Sequence, residues 1–235
     1  MVLQLENVVR RDARSGDEPL IDGVSLDVDR GAFIGIWGQR RSGKTLLLRL
    51  AAGIELPDQG AVRIDGIATT TMSSAARGAL RLARIGMIDR SDPHNRDERV
   101  DDLVALPLRA TETKRQARRR ARNALDLVGL GGCASMRWRD LADSERVLTR
   151  IAAAIVRQPR LLLVDEPTED LDHLQQEEVV KLLRALAAET DAAVLMTAAS
   201  MTALAKATDA YVIRRGRLSE LGGPGGELLQ FKRPT

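Results

Sequence analysis

The sequence predicts an α/β protein, with a mostly parallel sheet under helices, an antiparallel β region at the N-terminus and a helical segment inserted in the middle. Three observations carry this reading. Short apolar runs at residues 32–37, 161–164, 193–196 and 210–213 have strand length and alternate with stretches of helical periodicity, notably 174–186. Strands separated by helices imply parallel pairing with both sheet faces covered. A glycine-bearing stretch, GQRRSGKT at 38–45, falls between a strand pattern and a helix pattern. An acidic pair, Asp165 and Glu166, closes the apolar run LLLV, which suits a buried strand whose C-terminal end opens on a ligand crevice.

Taken in order, residues 2–9 and 24–29 alternate apolar and polar, as half-buried strands do. Residues 32–37 run as a short strand into GQRRSGKT, and 44–53 read as a helix. Asp58-Gln59-Gly60 and Asp65-Gly66 mark turns around a short strand at 61–64. From about 73 to 158 the pattern is mainly helical and rich in arginine, and the strand pattern returns after 160. A single domain is expected, its core about 1–88 and 159–235 and its helical subdomain about 89–158. Residues 222–235 read as loosely structured.

The 235 residues can bury one sizeable core. No apolar run reaches the roughly 18 residues that a membrane span requires, and MVLQLENVVRRD lacks the apolar core of a signal peptide. Cys133 is the one cysteine, so no internal disulfide can form and a cytoplasmic setting is expected. Net charge is +3, and the densest basic run is KRQARRRAR at 114–122. Two readings of it are open. It is a solvated helix face, with Ala117, Ala121, Leu125 and Val128 turned inward, or a patch for nucleic acid or anionic lipid. Phe33, Trp37, Trp138, Tyr211 and Phe231 are the whole aromatic complement, too sparse for a base-stacking platform, and nucleic acid is disfavoured.

GQRRSGKT fits G-x-x-x-x-G-K-[ST], whose backbone N–H groups wrap phosphates. Gly38, Gln39, Arg40, Arg41, Ser42, Gly43, Lys44 and Thr45 are therefore the candidate triphosphate-binding residues. Lys44 reaches the terminal phosphates and Thr45 offers a hydroxyl to Mg²⁺. Asp165 is the second candidate metal residue. A nucleoside triphosphate with Mg²⁺ is the expected cofactor.

Phosphate loop, acidic strand and the helix between them together resemble the ATPase subunit of ATP-binding cassette (ABC) transporters, over nearly the whole chain. LADSERVLTRIAAAIVRQPRLLLVDEPT at 141–168 is similar to that family's signature helix leading into its acidic strand. VDDLVALPL at 100–108 is similar to a segment of the lipoprotein-release, macrolide-export and cell-division branch, and DAYVIRRG at 209–216 to the family's last strand and turn. The resemblance implies a P-loop NTPase (RecA-like) core, with ATP as the nucleotide cofactor. It implies that Thr45 and Asp165 hold Mg²⁺, the aspartate through water, and that Glu166 is the catalytic general base. Asp172, in EDLD at 169–172, stands where the family's dimer-contact loop has its aspartate. Implied partners are integral membrane permease subunits and a second ATPase chain, either identical or a more competent partner. The chain would then sit on the cytoplasmic face of the membrane through those subunits. A nucleotide-dependent clamp that signals to a membrane partner without transport is the alternative.

Several positions depart from the family pattern. Its Leu-Ser-Gly-Gly-Gln signature stands here as Leu141-Ala142-Asp143-Ser144-Glu145. Ala142 has no hydroxyl, and Asp143 is expected to cap the helix with its own carboxylate, placing negative charge where a phosphate should be attracted. The switch histidine falls at Ala198 and the glutamine that touches Mg²⁺ and the lytic water falls at Arg90. An adenine-stacking aromatic is expected near residue 12, where Arg10, Arg11 and Asp12 stand, and Arg10 or Arg11 could stack instead. Arg40 and Arg41 occupy positions normally small or glycine, where a positive φ would strain them or their guanidiniums would tighten the phosphate grip. His94 reads as a surface residue and His173 as an interface or cap contact. Retained binding with slow or partner-dependent hydrolysis is the expectation.

Overall fold

The computed structural model describes residues 1–11, 18–93, 95–169, 171–201, 204 and 207–221. The chain runs β1 (Leu3–Arg11), β2 (Pro19–Val28), β3 (Phe33–Trp37), α1 (Lys44–Ala51), β4 (Gln59–Ile64), β5 (Ile67–Ala68), α2 (Ser74–Arg84) and β6 (Ile85–Ile88). It continues α3 (Val100–Ala105), α4 (Lys114–Leu127), α5 (Asp143–Ile155), β7 (Leu161–Asp165), α6 (His173–Thr190), β8 (Ala193–Ala198), β9 (Asp209–Arg214) and β10 (Arg217–Leu221). Among the described residues two sheets form. One is antiparallel, in the order β2-β1-β4-β5. The other has the order β10-β9-β3-β8-β7-β6, parallel throughout except for the terminal β9–β10 hairpin. No described helix is long and apolar enough to cross a membrane.

Strand alternation explains how one sheet serves two cores. On β7, Leu161 and Leu163 face one layer and Leu162 and Val164 the other, all at most 1% exposed. The first layer is closed by α1 and the antiparallel sheet, through Leu47, Leu50, Leu3, Leu5 and Ile64. The second is closed by α3, α4, α5 and α6, through Val104, Leu125, Ile151 and Leu183. Burying each such side chain contributes roughly 1.5–3 kcal/mol. The continuous apolar run at 161–164 is thus what a strand covered on both faces demands.

Besides the two-residue β5, two strands escape the sequence pattern. Residues 85–88 fall in the stretch expected to be mainly helical, yet they form β6, the edge strand beside β7. Four residues, IGMI, are too few to display a period of two, and they follow α2 without a turn. Gly86 is the informative one: a Cβ there would lie 2.5 Å from the Ala154 carbonyl oxygen on α5. The strand therefore needs glycine so that α5 can lie directly on it. β10 also lacks a clear alternation; it is an edge strand held by its hairpin with β9.

The basic run becomes α4. Thr113 and Gln116 cap it reciprocally, Thr113 Oγ1 accepting from Gln116 N at 3.4 Å and Gln116 Oε1 accepting from Thr113 N at 3.2 Å. Ala117, Ala121, Leu125 and Val128 are buried as expected. Part of its charge is used internally. Arg118 binds Asp102 of α3 through two hydrogen bonds of 2.8 and 2.5 Å, and Arg122 binds Asp101 at 3.0 Å. Asp101 is fully buried and Asp102 nearly so, so these two pairs bolt α3 to α4, while Arg99 before α3 and Arg109 after it add to the charge around the same carboxylates.

The Arg118 hydrogen bonds hold the Asp102 carboxyl below the usual carboxylate value against the opposing desolvation. A depressed folded-state value stabilises the protein above the unfolded-state pKa of about 4, and the contribution disappears as pH falls through the lower folded-state value. Asp102→Asn should therefore cost roughly 1–3 kcal/mol in urea unfolding at neutral pH. The gap between the variant and the parent chain should close as the pH is lowered below about 4.

Candidate nucleotide site

The site lies at the C-terminal ends of β3, β7 and β8. β3 is flanked by β8 and β9, with Trp37 level with Ala198 and Val212. Beyond it the chain turns through residues 38–43 into α1. Gly38 N donates to Ala198 O at 3.4 Å and Ser42 N to Gln39 O at 3.2 Å. Gly43, the residue before the helix, has φ 99°, and a Cβ there would lie 2.9 Å from the Leu20 carbonyl oxygen. Glycine is required on both counts. Arg41 has φ 63°, so it carries the strain of a left-handed residue, of order 1–3 kcal/mol. Its side chain and those of Gln39 and Arg40 are exposed, whereas Gly38, Gly43 and Lys44 are buried.

Lys44 is the best-held cation in the site, 5% exposed. Its Nζ donates to Gly38 O at 2.5 Å and Gln39 O at 2.7 Å, and lies 3.0 Å from Glu166 Oε1. An ammonium has three donors, and three acceptors surround this one. A phosphate oxygen arriving at Lys44 competes with the Glu166 carboxylate. Ser42 Oγ, in the same loop, is buried without a hydrogen-bond partner, a donor positioned for a ligand acceptor.

Opposite, Asp165 ends β7. Its Oδ2 accepts from Thr45 Oγ1 and its Oδ1 from Thr197 Oγ1, each at 2.7 Å. Glu166 follows at φ 45°, and its backbone N–H is shared between Thr197 O and Thr197 Oγ1, both 3.2 Å away. Thr197 therefore fixes both acidic residues. No sequence motif marks this role, which depends on the pairing that sets Thr197 level with Asp165. No group of three His, Cys, Asp or Glu side chains converges on a metal among the described residues. Mg²⁺ commonly uses one or two carboxylates and fills its shell with water and substrate phosphates. The Thr45 hydroxyl, the Asp165 carboxylate and the orphaned Ser42 hydroxyl fit Mg²⁺ held together with a nucleotide.

The other singled-out positions resolve individually. Arg90, two residues beyond β6, pairs with Glu169. Ala198 is buried at the end of β8 and brings no titratable group. Trp37 donates from Nε1 to Ala199 O at 2.9 Å, with Arg214 5.9 Å from its ring centroid. Arg10, one of the two arginines expected to stack, is engaged in ion pairs. Its guanidinium is held by Asp58 at 2.8 Å and Glu55 at 3.3 Å, because β1 runs past the acidic turn before β4. Asp172 caps α6, accepting from Gln175 N at 2.9 Å, and His173 lies 3.7 Å from Glu177 one turn along that helix. Asp12, His94 and residues 222–235 lie outside the described residues.

The expectation for Asp143 is also corrected. It does not cap α5; it is the first helical residue, and Ala142 stands at the cap. Glu145 reaches back instead, its Oε2 accepting from Ala142 N at 2.8 Å. Asp143 pairs with Arg146 at 2.9 Å. A carboxylate one position past the cap points along the helix surface, so it meets the residue one turn on rather than the end N–H groups. The acidic character of 141–145 remains, with part of it neutralised by Arg146.

The ABC transporter family profile matches residues 21–169, through the phosphate loop, the signature helix and the acidic strand. The chain belongs to the ABC transporter family. A Mycobacterium tuberculosis ABC transporter ATP-binding protein is 36% identical over 168 residues, 71% of this chain and 51% of its own length. The chain thus spans about half the length of the first such relatives. The lipoprotein-releasing system ATP-binding protein LolD of Chromohalobacter salexigens is 33% identical over 205 residues, 87% of this chain and 86% of the relative. A dimeric ATP-binding cassette bound to ADP and Pi superposes with a TM-score of 0.83 at 24% identity, covering 94% of this chain and 99% of the other. That likeness shows the cassette fold. The cassette assignment explains why the phosphate loop, the signature helix and the acidic strand occur in this order on one sheet.

Thr197→Val keeps shape but removes the hydroxyl that orients Asp165. Groups that orient a metal ligand are typically worth 10- to 100-fold in metal affinity. The Mg²⁺-dependent part of ATP affinity should fall by about tenfold or more in calorimetry. Affinity measured without Mg²⁺ should change little.

Proposed function

We propose that the chain is the ATP-binding and ATP-hydrolysing subunit of an ABC-type membrane transport complex. The observation that carries this is the convergence of Lys44, Thr45, Asp165 and Glu166, from α1 and β7, on one crevice. The loop at 38–45 wraps the triphosphate with backbone N–H groups, and Lys44 neutralises its β- and γ-oxygens. Thr45 and Asp165 would hold Mg²⁺, which would supply charge neutralisation. Glu166, released from Lys44 by the incoming phosphate, orients a water and takes its proton as the water oxygen bonds to the γ-phosphorus. The bond to the β-phosphate oxygen breaks, leaving ADP and inorganic phosphate.

The family context supports two cassettes working head to tail beneath membrane permease subunits, on the cytoplasmic face. The similar proteins are named for lipoprotein release, methionine import and sulfate/thiosulfate import. A clamp that signals without transport draws no support from them. Hydrolysis is proposed to be slow or partner-dependent, because Ala198, Arg90 and Ala142 each replace a group that acts on the nucleotide in the resembled pattern. Losing one donor aimed at transition-state charge costs about 10² to 10³ in kcat.

Lys44→Ala should lower MgATP affinity by roughly 10- to 100-fold, the worth of a charge-assisted contact of about 1.5–3 kcal/mol. Titration calorimetry reads this directly, and an unchanged affinity would sink the proposed site. In the assembled complex, Ala142→Ser with Asp143→Gly should strengthen ATP-driven closure of the dimer by restoring a hydroxyl and removing a carboxylate. Crosslinking across the dimer, with and without ATP, measures it. A pair of chains that closes equally well before and after the change would show that 141–145 do not face nucleotide.

A further inference from the structure

The basic run at 114–122 enters the fold on α4, and the pairs that bolt α4 to α3 use only part of it. From Glu98 to Leu125 the chain carries eight arginines and lysines against four carboxylates, a surplus of four positive charges. The whole chain has a surplus of three, so everything outside this stretch sums to one negative charge. The basic character of the protein therefore belongs to one helical corner and not to its surface at large.

At about 100° per residue, Lys114, Arg115, Arg118, Arg119 and Arg122 occupy one arc of about 140° on α4, turned away from the buried Ala117, Ala121 and Ala124. They span about 12 Å along the helix axis. Arg118 and Arg122 are held by Asp102 and Asp101 of α3, so α4 cannot roll about its axis without breaking both pairs. Lys114, Arg115 and Arg119 are exposed. Arg115 and Arg119 form no ion pair among the described residues. Between Lys114 and Arg122 the apolar side chains, Ala117 and Ala121, are both buried. No apolar groove therefore borders the cations to seat the anchor residues of a peptide, and no aromatic ring stands among them for a base to stack on. Recognition here is by charge alone, and a row along the outside of a helix suits a plane of many anions.

We propose that this arc of α4 is a contact for anionic lipid headgroups, holding the helical layer against the membrane surface beside the permease subunits. The membrane setting rests on the function proposed above. Each cation brought near an anionic leaflet strengthens binding about fivefold, and a guanidinium meets a phosphate with its planar fork. A contact of this kind needs no cavity built for one molecule. Arg115 and Arg119 bind, and the Asp101 and Asp102 pairs keep the arc facing outward.

The test is co-sedimentation of the full chain with vesicles of phosphatidylcholine alone, or of phosphatidylcholine with an equal part of phosphatidylglycerol. The chain should bind the second and not the first, and raising the ionic strength from about 0.1 to about 1 M should release it. Arg115→Gln with Arg119→Gln should weaken binding to the charged vesicles by about tenfold or more. Arg115→Lys with Arg119→Lys keeps the charge and should retain most of the binding. Arg30→Gln with Arg217→Gln removes the same charge outside the helical layer, on the turn after β2 and on β10. That variant should stay within about twofold of the parent chain, because charges more than a Debye length from the leaflet are screened. Equal losses in the two glutamine variants, or equal binding to both kinds of vesicle, overturn the inference. So does tighter binding of polyglutamate or duplex DNA than of charged vesicles at one ionic strength, which would make the partner an acidic segment or a nucleic acid. Unchanged MgATP affinity in the Arg115 and Arg119 variants shows that they fold. Lys44→Ala should bind vesicles like the parent chain, so the nucleotide site and the lipid contact stand or fall separately.

Discussion

The Asp165 carboxylate is tied at 2.7 Å to Thr45 at the start of α1 and at 2.7 Å to Thr197 on β8, and much of the molecule is arranged to keep that three-way contact. β7 can end there because its four apolar residues are buried to alternate sides. α1 can begin there because Gly43 takes a backbone conformation closed to other residues and lies against Leu20. β8 reaches the same level because it lies between β7 and β3 in the sheet. The antiparallel sheet and the helical layer supply the apolar weight that keeps these three ends in register. Without it, a short carboxylate–hydroxyl pair would have no reason to persist against water.

Two of the seven described non-glycine residues at positive φ stand at this site. Arg41 and Glu166 both sit at positive φ, 63° and 45°, one on each side of the crevice. The costs, of order 1–3 kcal/mol each, persist only where the surroundings over-determine the geometry. For Glu166 those surroundings are the two acceptors on Thr197. For Arg41 they are the turn from Gln39 to Ser42 and the fixed start of α1. Arginine at this position thus keeps a conformation suited to glycine, with its side chain exposed.

The parts legible in the sequence were those set by chemistry at fixed spacing or by burial on two faces. GQRRSGKT and LLLVDEP named their strands, their helix and the ends at which they meet. The inward face of α4 followed from helical period alone. What escaped depended on distant partners. β6 is four residues long and is a strand only because β7 lies beside it and Gly86 admits α5. Arg10 read as a stand-in for the missing aromatic, and the fold brings Glu55 and Asp58 to its guanidinium. Asp143 read as a cap because the choice between it and Glu145 turns on a one-residue shift of the helix start. Thr197 carried no local signature, since its role is to touch a strand more than thirty positions earlier.

The contact at Gly86 has a mechanical corollary. With the Ala154 carbonyl pressed where a side chain would otherwise stand, α5 meets the sheet edge backbone to backbone at Gly86, beside the side-chain packing of Ile151 and Ile88. Backbone rests on backbone, and the joint is stiff to compression. A push delivered to the outer surface of α5 is carried straight into β6, and through Asp92 and Arg150 into the turn that follows it. The edge of the sheet and α5 are thus joined at two points, one through backbone at Gly86 and one through the Asp92–Arg150 pair.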